Sequence, residues 1–134
     1  MAAVTVELRS TDGTEAAMGW AGAHTLVVDR AEGKAGGRGL GFNGAELLGL
    51  TIGGCFCNDL RYVAHDMGIA LDAISATVTI ELSGDPIIAT GASMRVACTT
   101  SDGSDPAAVI ERARAISMAA NSLPRGIPVS VEIA

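Results

Sequence analysis

Aromatic side chains are scarce. Trp20, Tyr62, Phe42 and Phe56 are the complete set, 3% of 134 residues. A core without them must come from Ala, Val, Ile and Leu, the bulk of a 49% apolar fraction, with 17 glycines to let backbones approach closely. Basic charge is also short. Nine Lys and Arg against 15 Asp and Glu give a net charge of −6, which excludes the basic face that nucleic-acid binding requires. No block of like charge marks a tail or a polybasic patch. Long apolar runs are missing too. The longest in the central segment, Leu47 to Cys57, falls well short of the roughly 20 residues of a membrane span. The first ten residues, MAAVTVELRS, hold neither the basic nor the apolar region of a signal peptide. A cytoplasmic location is expected, with no membrane or nucleic-acid partner. Three cysteines, an odd number at irregular spacing, are not a secreted disulfide framework, and free thiols are expected. The length suits one domain over 1–134, and no repeat or linker divides it.

The positive signals begin with an alternating, β-branched stretch, Val4 to Leu8, which predicts a strand. Asp12-Gly13 is a hairpin signal, and Ala17 to Asp29 predicts further strand, strongest over Thr25 to Val28. A hairpin or meander is expected. Ala31 to Gly44 is glycine-rich and reads as a plain connector. It lacks both the Gly-Lys-Ser/Thr ending and the dinucleotide spacing of a phosphate loop. Ala45 to Gly68 predicts one long helix, with Asn43 and Glu46 as a capping box and Gly68 as terminator. Leu71 to Leu82 predicts a strand in its second half, and Ile87 to Thr100 a second one across a Gly84-Asp85-Pro86 turn. Asp105-Pro106 opens a helix to about Ala120, with Val109, Ile110, Ala113, Ile116 and Ala120 as its buried stripe. Ile127 to Ile133 predicts a final strand. The expected order is β-β-α-β-β-α-β, an α+β domain whose long helix packs on an antiparallel sheet.

Two thiols sit mid-helix. At about 100° per residue, Cys55 and Cys57 point in roughly opposite directions. They are poorly placed for a mutual disulfide, and adding His65 makes no metal site. No metal or cofactor is expected. Cys55 shares its side with Thr51, Asp59 and Tyr62, and Cys57 shares its side with Arg61. A reactive thiol here needs a cation from elsewhere, such as Arg30, Arg38 or Arg125, because a mid-helix position feels no free N-terminal dipole. Cys98, on a strand, reads as core. Spacing alone favours two structural mid-helix cysteines. Neither His24 nor His65 has a sequence-visible link to Cys55 that would make a Cys–His pair.

The ordered set of segments resembles the OsmC/Ohr family of osmotically inducible and organic hydroperoxide resistance proteins. It comprises His24 to Asp29 leading into a Gly-Gly loop, Glu46-Leu47-Leu48, Gly53-Gly54-Cys55 with Leu60, and Gly68-Ile69. A hairpin, Asp105-Pro106, SMAANSL over 117–123 and the closing VSVEI complete it. The resemblance implies an intertwined homodimer that reduces organic and hydrogen peroxides. In it Cys55 would be the peroxidatic cysteine, Glu46 would match the helix-opening glutamate, and Arg30 or Arg38 would be the thiolate-stabilising arginine. The family's resolving cysteine falls on Ser117, which cannot form a disulfide. The expected cycle therefore uses one cysteine, a small hydroperoxide and an external thiol reductant. The alternative expectation is a non-catalytic homodimer of the same scaffold that binds a small apolar ligand; a third is another thiol activity, such as a sulfenate sensor.

Overall fold

The computed structural model describes residues 2–134. The chain forms two compact units, Met1–Leu47 and Leu48–Ala134.

The first unit is an antiparallel meander of β1 (Glu7–Ser10), β2 (Ala17–Ala21) and β3 (His24–Val28). Glu7 pairs with Trp20, Ala17 with Val28 and Ala21 with His24. The predicted Ala17 to Asp29 strand is in fact two strands. Gly22, at φ +60°, supplies the left-handed backbone of a two-residue turn with Ala23, a conformation that costs glycine little. The strand predicted over Val4 to Leu8 starts later, at Glu7, where pairing to β2 begins.

The glycine-rich loop is more organised than a plain connector. Buried Asp29 gathers it by accepting the Arg30, Arg38 and Leu40 N–H groups at 2.8, 3.0 and 3.0 Å. The Leu40 N–H is the largest cause holding the Asp29 carboxyl below its ordinary value, against the opposing effect of burial, with Arg38 and Arg30 N–H and the Arg30 charge adding to it. The loop then returns to β3, where Phe42 N–H donates to Val27 O at 2.9 Å and Asp29 N–H to Phe42 O at 3.1 Å.

The helix α1 (Gly44–Asp66) begins at the end of the first unit and forms the spine of the second. Its start is the predicted capping box: Asn43 N–H donates to Glu46 Oε1 and Glu46 N–H to Asn43 Oδ1, each at 2.9 Å. Its end is a glycine-terminated turn in which Ile69 N–H reaches Ala64 O at 2.8 Å. Ile52, Phe56, Leu60, Val63 and Ala64 recur at helical spacing and are buried. The sheet of the second unit is a long hairpin, β4 (Leu71–Ser83) and β5 (Ile88–Thr100). Strand β4 spans the whole predicted segment, beyond its second half. Gly53 brings α1 close to it, since a Cβ there would lie 3.0 Å from Val78 Cγ2.

The core joins Phe56, Leu60, Val63 and Ala64 of α1 to Leu71, Cys98, Val109 and Ala113, with Ile74, Met94 and Val96 packed around them. Fully burying side chains of this size contributes about 1.5–3 kcal/mol each. Cys98 is therefore a core residue, and burial pushes its thiol up, against the lowering charge of Arg61.

The structure departs from the predicted order in the last third of the chain. The late helix is two helices, α2 (Ala107–Ile116) and α3 (Met118–Ser122), broken at Ser117, whose ψ of 118° is extended. Asp105 accepts the Ala107 N–H at 3.0 Å from the position before Pro106, which itself takes the N-cap place of α2. Val109 and Ala113 are buried as predicted, but the break turns Ile116 outward and sends Ser117 and Ala119 inward. The predicted final strand, Ile127 to Ile133, forms no regular secondary structure and pairs with no strand among the described residues. Alternation alone does not make a strand; an edge must be available to receive its N–H and C=O groups. Val129 and Ile133 stand 84% and 99% exposed.

Candidate functional site

The site is built where the middle of α1 meets the break between α2 and α3. Residues four apart on a helix lie on one face, so Cys55 and Asp59 are neighbours there. The Cys55 thiol donates to Asp59 Oδ2 at 3.6 Å, and Asp59 is only 8% exposed. Ser117 approaches from the break between α2 and α3. It is fully buried, and its hydroxyl donates to Cys55 Sγ at 3.9 Å. Cys55 itself is half-buried, open enough to meet a small molecule.

The break that delivers Ser117 has its own support. Interrupting a helix leaves carbonyls without their usual i+4 donors. The Asn121 side-chain amide repairs this by donating to Ala115 O at 3.3 Å and to Arg114 O at 3.4 Å; it also donates to Ser117 O at 2.7 Å, which keeps its usual donor, the Asn121 N–H, at 3.0 Å. Ser117 N–H still closes the last turn of α2 on Ala113 O at 2.9 Å. Asn121 thus holds the backbone geometry that turns the Ser117 side chain toward Cys55.

The Asp59 carboxyl offers the thiol proton an acceptor at 3.6 Å, and the Ser117 hydroxyl donates to the same sulfur. A sulfur nucleophile with both contacts can attack an electrophilic oxygen.

The remaining candidates are placed elsewhere. Cys57 is half-buried on α1. Its helix neighbour Arg61 donates to Leu71 O at 2.8 Å and exerts its charge on Cys98. Glu46 is the capping-box residue of α1. Arg30 is engaged within the first unit, donating to Glu15 O at 2.7 Å and lying 3.4 Å from Asp29 Oδ1. The Arg38 side chain is exposed, while its backbone N–H serves Asp29. Sequence reasoning placed Asp59 on the Cys55 side of the helix but gave it no role; the i,i+4 carboxylate was the available signal.

Each unit carries an apolar concavity. In the first unit a cavity of about 240 Å³ is lined by Val6, Leu8, Trp20, Leu26 and Leu47. In the second a groove of about 440 Å³ is lined by Leu48, Ile52, Met94, Ala120 and Leu123, and Ile52 lies one turn before Cys55.

Comparison with known proteins bears on this arrangement. An OsmC-like protein of unknown function from Vibrio cholerae superposes with a TM-score of 0.76 at 12% identity, over 92% of this chain and 94% of that one. An OsmC-like protein from Mycoplasma pneumoniae gives a TM-score of 0.74 at 13% identity, over 92% and 88%. An organic hydroperoxide resistance protein from Legionella pneumophila gives 0.62 at 18% identity, over 90% and 88%. These likenesses establish the fold. No curated protein matches the chain. No helix among the described residues is long and apolar enough to cross a membrane. Residues 36–132, which contain Cys55, Asp59 and Ser117, match the sequence model of the family described as OsmC-like protein, and the chain belongs to that family.

Proposed function

We propose that the protein is a one-cysteine thiol peroxidase that reduces small organic and hydrogen peroxides through Cys55. The observation that carries this reading is the Ser117 hydroxyl 3.9 Å from Cys55 Sγ, in a family that includes hydroperoxide resistance proteins. The position facing the thiol holds oxygen where a second sulfur would close a disulfide. The Cys55 sulfur attacks the terminal peroxide oxygen. An S–O bond forms, the O–O bond breaks, sulfur loses two electrons, and the product alcohol or water takes up a proton. The resulting sulfenic acid cannot condense with Ser117. An external small thiol attacks it, releasing water and leaving a mixed disulfide, and a second thiol equivalent frees Cys55.

In this reading the arginine and glutamate implied by the resemblance are assigned to Arg38 and Glu46, since Arg30 is held by Glu15 and Asp29. The working form is a cytoplasmic homodimer. Exposed Val129, Val131 and Ile133 in a segment that pairs with no strand among the described residues, with Leu50 and Tyr62 exposed on α1, support a second copy covering apolar surface. A light-scattering mass near one 13.5 kDa chain would remove the dimer from the proposal.

The test is sulfenate trapping with mass spectrometry from about pH 5 to 9, a span that brackets the free-thiol value of about 8.5. Rapid peroxide-dependent trapping at Cys55, abolished in Cys55→Ala, is expected. Equally slow labelling of Cys55, Cys57 and Cys98 would refute the peroxidase. The groove beside Ile52 would then favour the second reading, a non-catalytic homodimer that binds a small apolar ligand.

A further inference from the structure

We infer that Asp59 is a catalytic proton relay for Cys55, taking the thiol proton as sulfur attacks and delivering it to the departing oxygen. This rests on the peroxidase reading of Cys55 and adds to it a residue that the Arg–Glu scheme does not contain. The geometry is direct: the thiol donates to Asp59 Oδ2 at 3.6 Å. Asp59 is 8% exposed, and no ion pair among the described residues engages it. The nearest arginine along the helix, Arg61, donates instead to Leu71 O. Burying a carboxyl group whose observed side-chain partner is a thiol has a structural cost, because a weak sulfur donor replaces water. A proton-transfer role accounts for its place at the reacting atom.

The step balances as Cys55–SH plus R–O–OH giving Cys55–S–OH plus R–OH. The S–H and O–O bonds break, and the S–O bond forms at the terminal oxygen. Sulfur is oxidised by two electrons and the peroxide reduced by two. The thiol proton passes through Asp59 Oδ2 to the oxygen that leaves. Ser117, donating to the same sulfur, steadies it while the proton departs toward Asp59.

Two substrates separate a relay from a simple charge effect. An alkyl hydroperoxide expels an alkoxide, which needs a proton. A peroxyacid expels a carboxylate, which does not. In Asp59→Asn, loss of the repelling charge should raise iodoacetamide alkylation of Cys55 at neutral pH and raise its oxidation by peracetic acid in parallel. Oxidation by cumene hydroperoxide should fall, so that the ratio of the two oxidation rates drops by about 100-fold, the lower end of general acid–base contributions. Asp59→Glu, which keeps a carboxylate, should hold that ratio within a few-fold. In the unaltered protein the ratio of cumene hydroperoxide to peracetic acid rates should exceed that of a small free thiol at the same pH, a measurement that needs no variant to fold. If both oxidants change together in Asp59→Asn, or if the unaltered protein shows the free-thiol ratio, the relay is refuted while Cys55 remains a peroxidase. If unaltered Cys55 reacts with neither oxidant, both readings fall.

Discussion

Replacing Ser117 by cysteine should convert the site from a one-cysteine to a two-cysteine cycle. Ser117 is fully buried, and the substitution exchanges one oxygen for sulfur, so the reduced variant should fold with little penalty. The side-chain atoms that would pair lie 3.9 Å apart, and a disulfide needs about 2.05 Å. Closing roughly 2 Å falls to the extended residue between α2 and α3, where no continuous helix must be bent. Peroxide would first make the Cys55 sulfenic acid, and the introduced thiol would then displace water from it. The bridge would span 62 residues of chain. The chain-entropy model gives such a loop about 4 kcal/mol of stabilisation before strain, on the order of 10 °C in melting temperature for a domain of this size. The assay is stoichiometric peroxide, then intact mass, peptide mapping and a thermal melt with and without a dithiol. The expected result is loss of two hydrogens, one Cys55-linked peptide pair, and a raised melting temperature that the dithiol reverses. Hyperoxidation of Cys55 with the introduced thiol still free would refute the placement of Ser117 beside it.

Three further outcomes follow from the packing. Leu60→Ala empties a fully buried position in the core around α1 and should cost about 2–5 kcal/mol in a urea melt; a loss below about 1 kcal/mol would mean α1 is not seated on that core. Asp29→Asn should destabilise the first unit near neutral pH. The folded Asp29 value lies below the ordinary 3.8, so its stabilisation is present above that value and is lost as pH falls through the folded one. The gap between variant and unaltered protein should therefore close in acid, and a gap constant with pH would contradict the carboxylate's role. Cys98, buried and pushed up by desolvation, should resist alkylation in the folded protein and label only on unfolding; native labelling at the pace of Cys55 would place it outside the core.

Local signals were legible in the residues. The Asn43–Glu46 box, the Asp105 contact to the Ala107 N–H and the alternation of β4 and β5 each involve partners within a turn or across one hairpin. Their physics is complete in a short window, so the α+β class and the long helix could be read directly. The position of Ser117 opposite Cys55 was available only through resemblance, and the helix break that delivers it was invisible. Ser-Met-Ala-Ala-Asn carries no proline or glycine, and the break is held by the Asn121 side chain donating to Arg114 O and Ala115 O, carbonyls that lose their helical donors only once the break exists. The Asp29 hub was equally hidden, since it collects N–H groups from residues 38 and 40 that only the folded loop brings back to the end of β3.

Composition and periodicity determined which segments would be helix or strand and that Cys55 and Asp59 would share a face. Tertiary structure decided where the late helix breaks, which cysteine joins the core, and that residues 127–133 pair with no strand among the described residues. The reason is the range of the interactions: capping, alternation and the i,i+4 rule act over a few residues, whereas burial and strand pairing depend on what the distant chain leaves open.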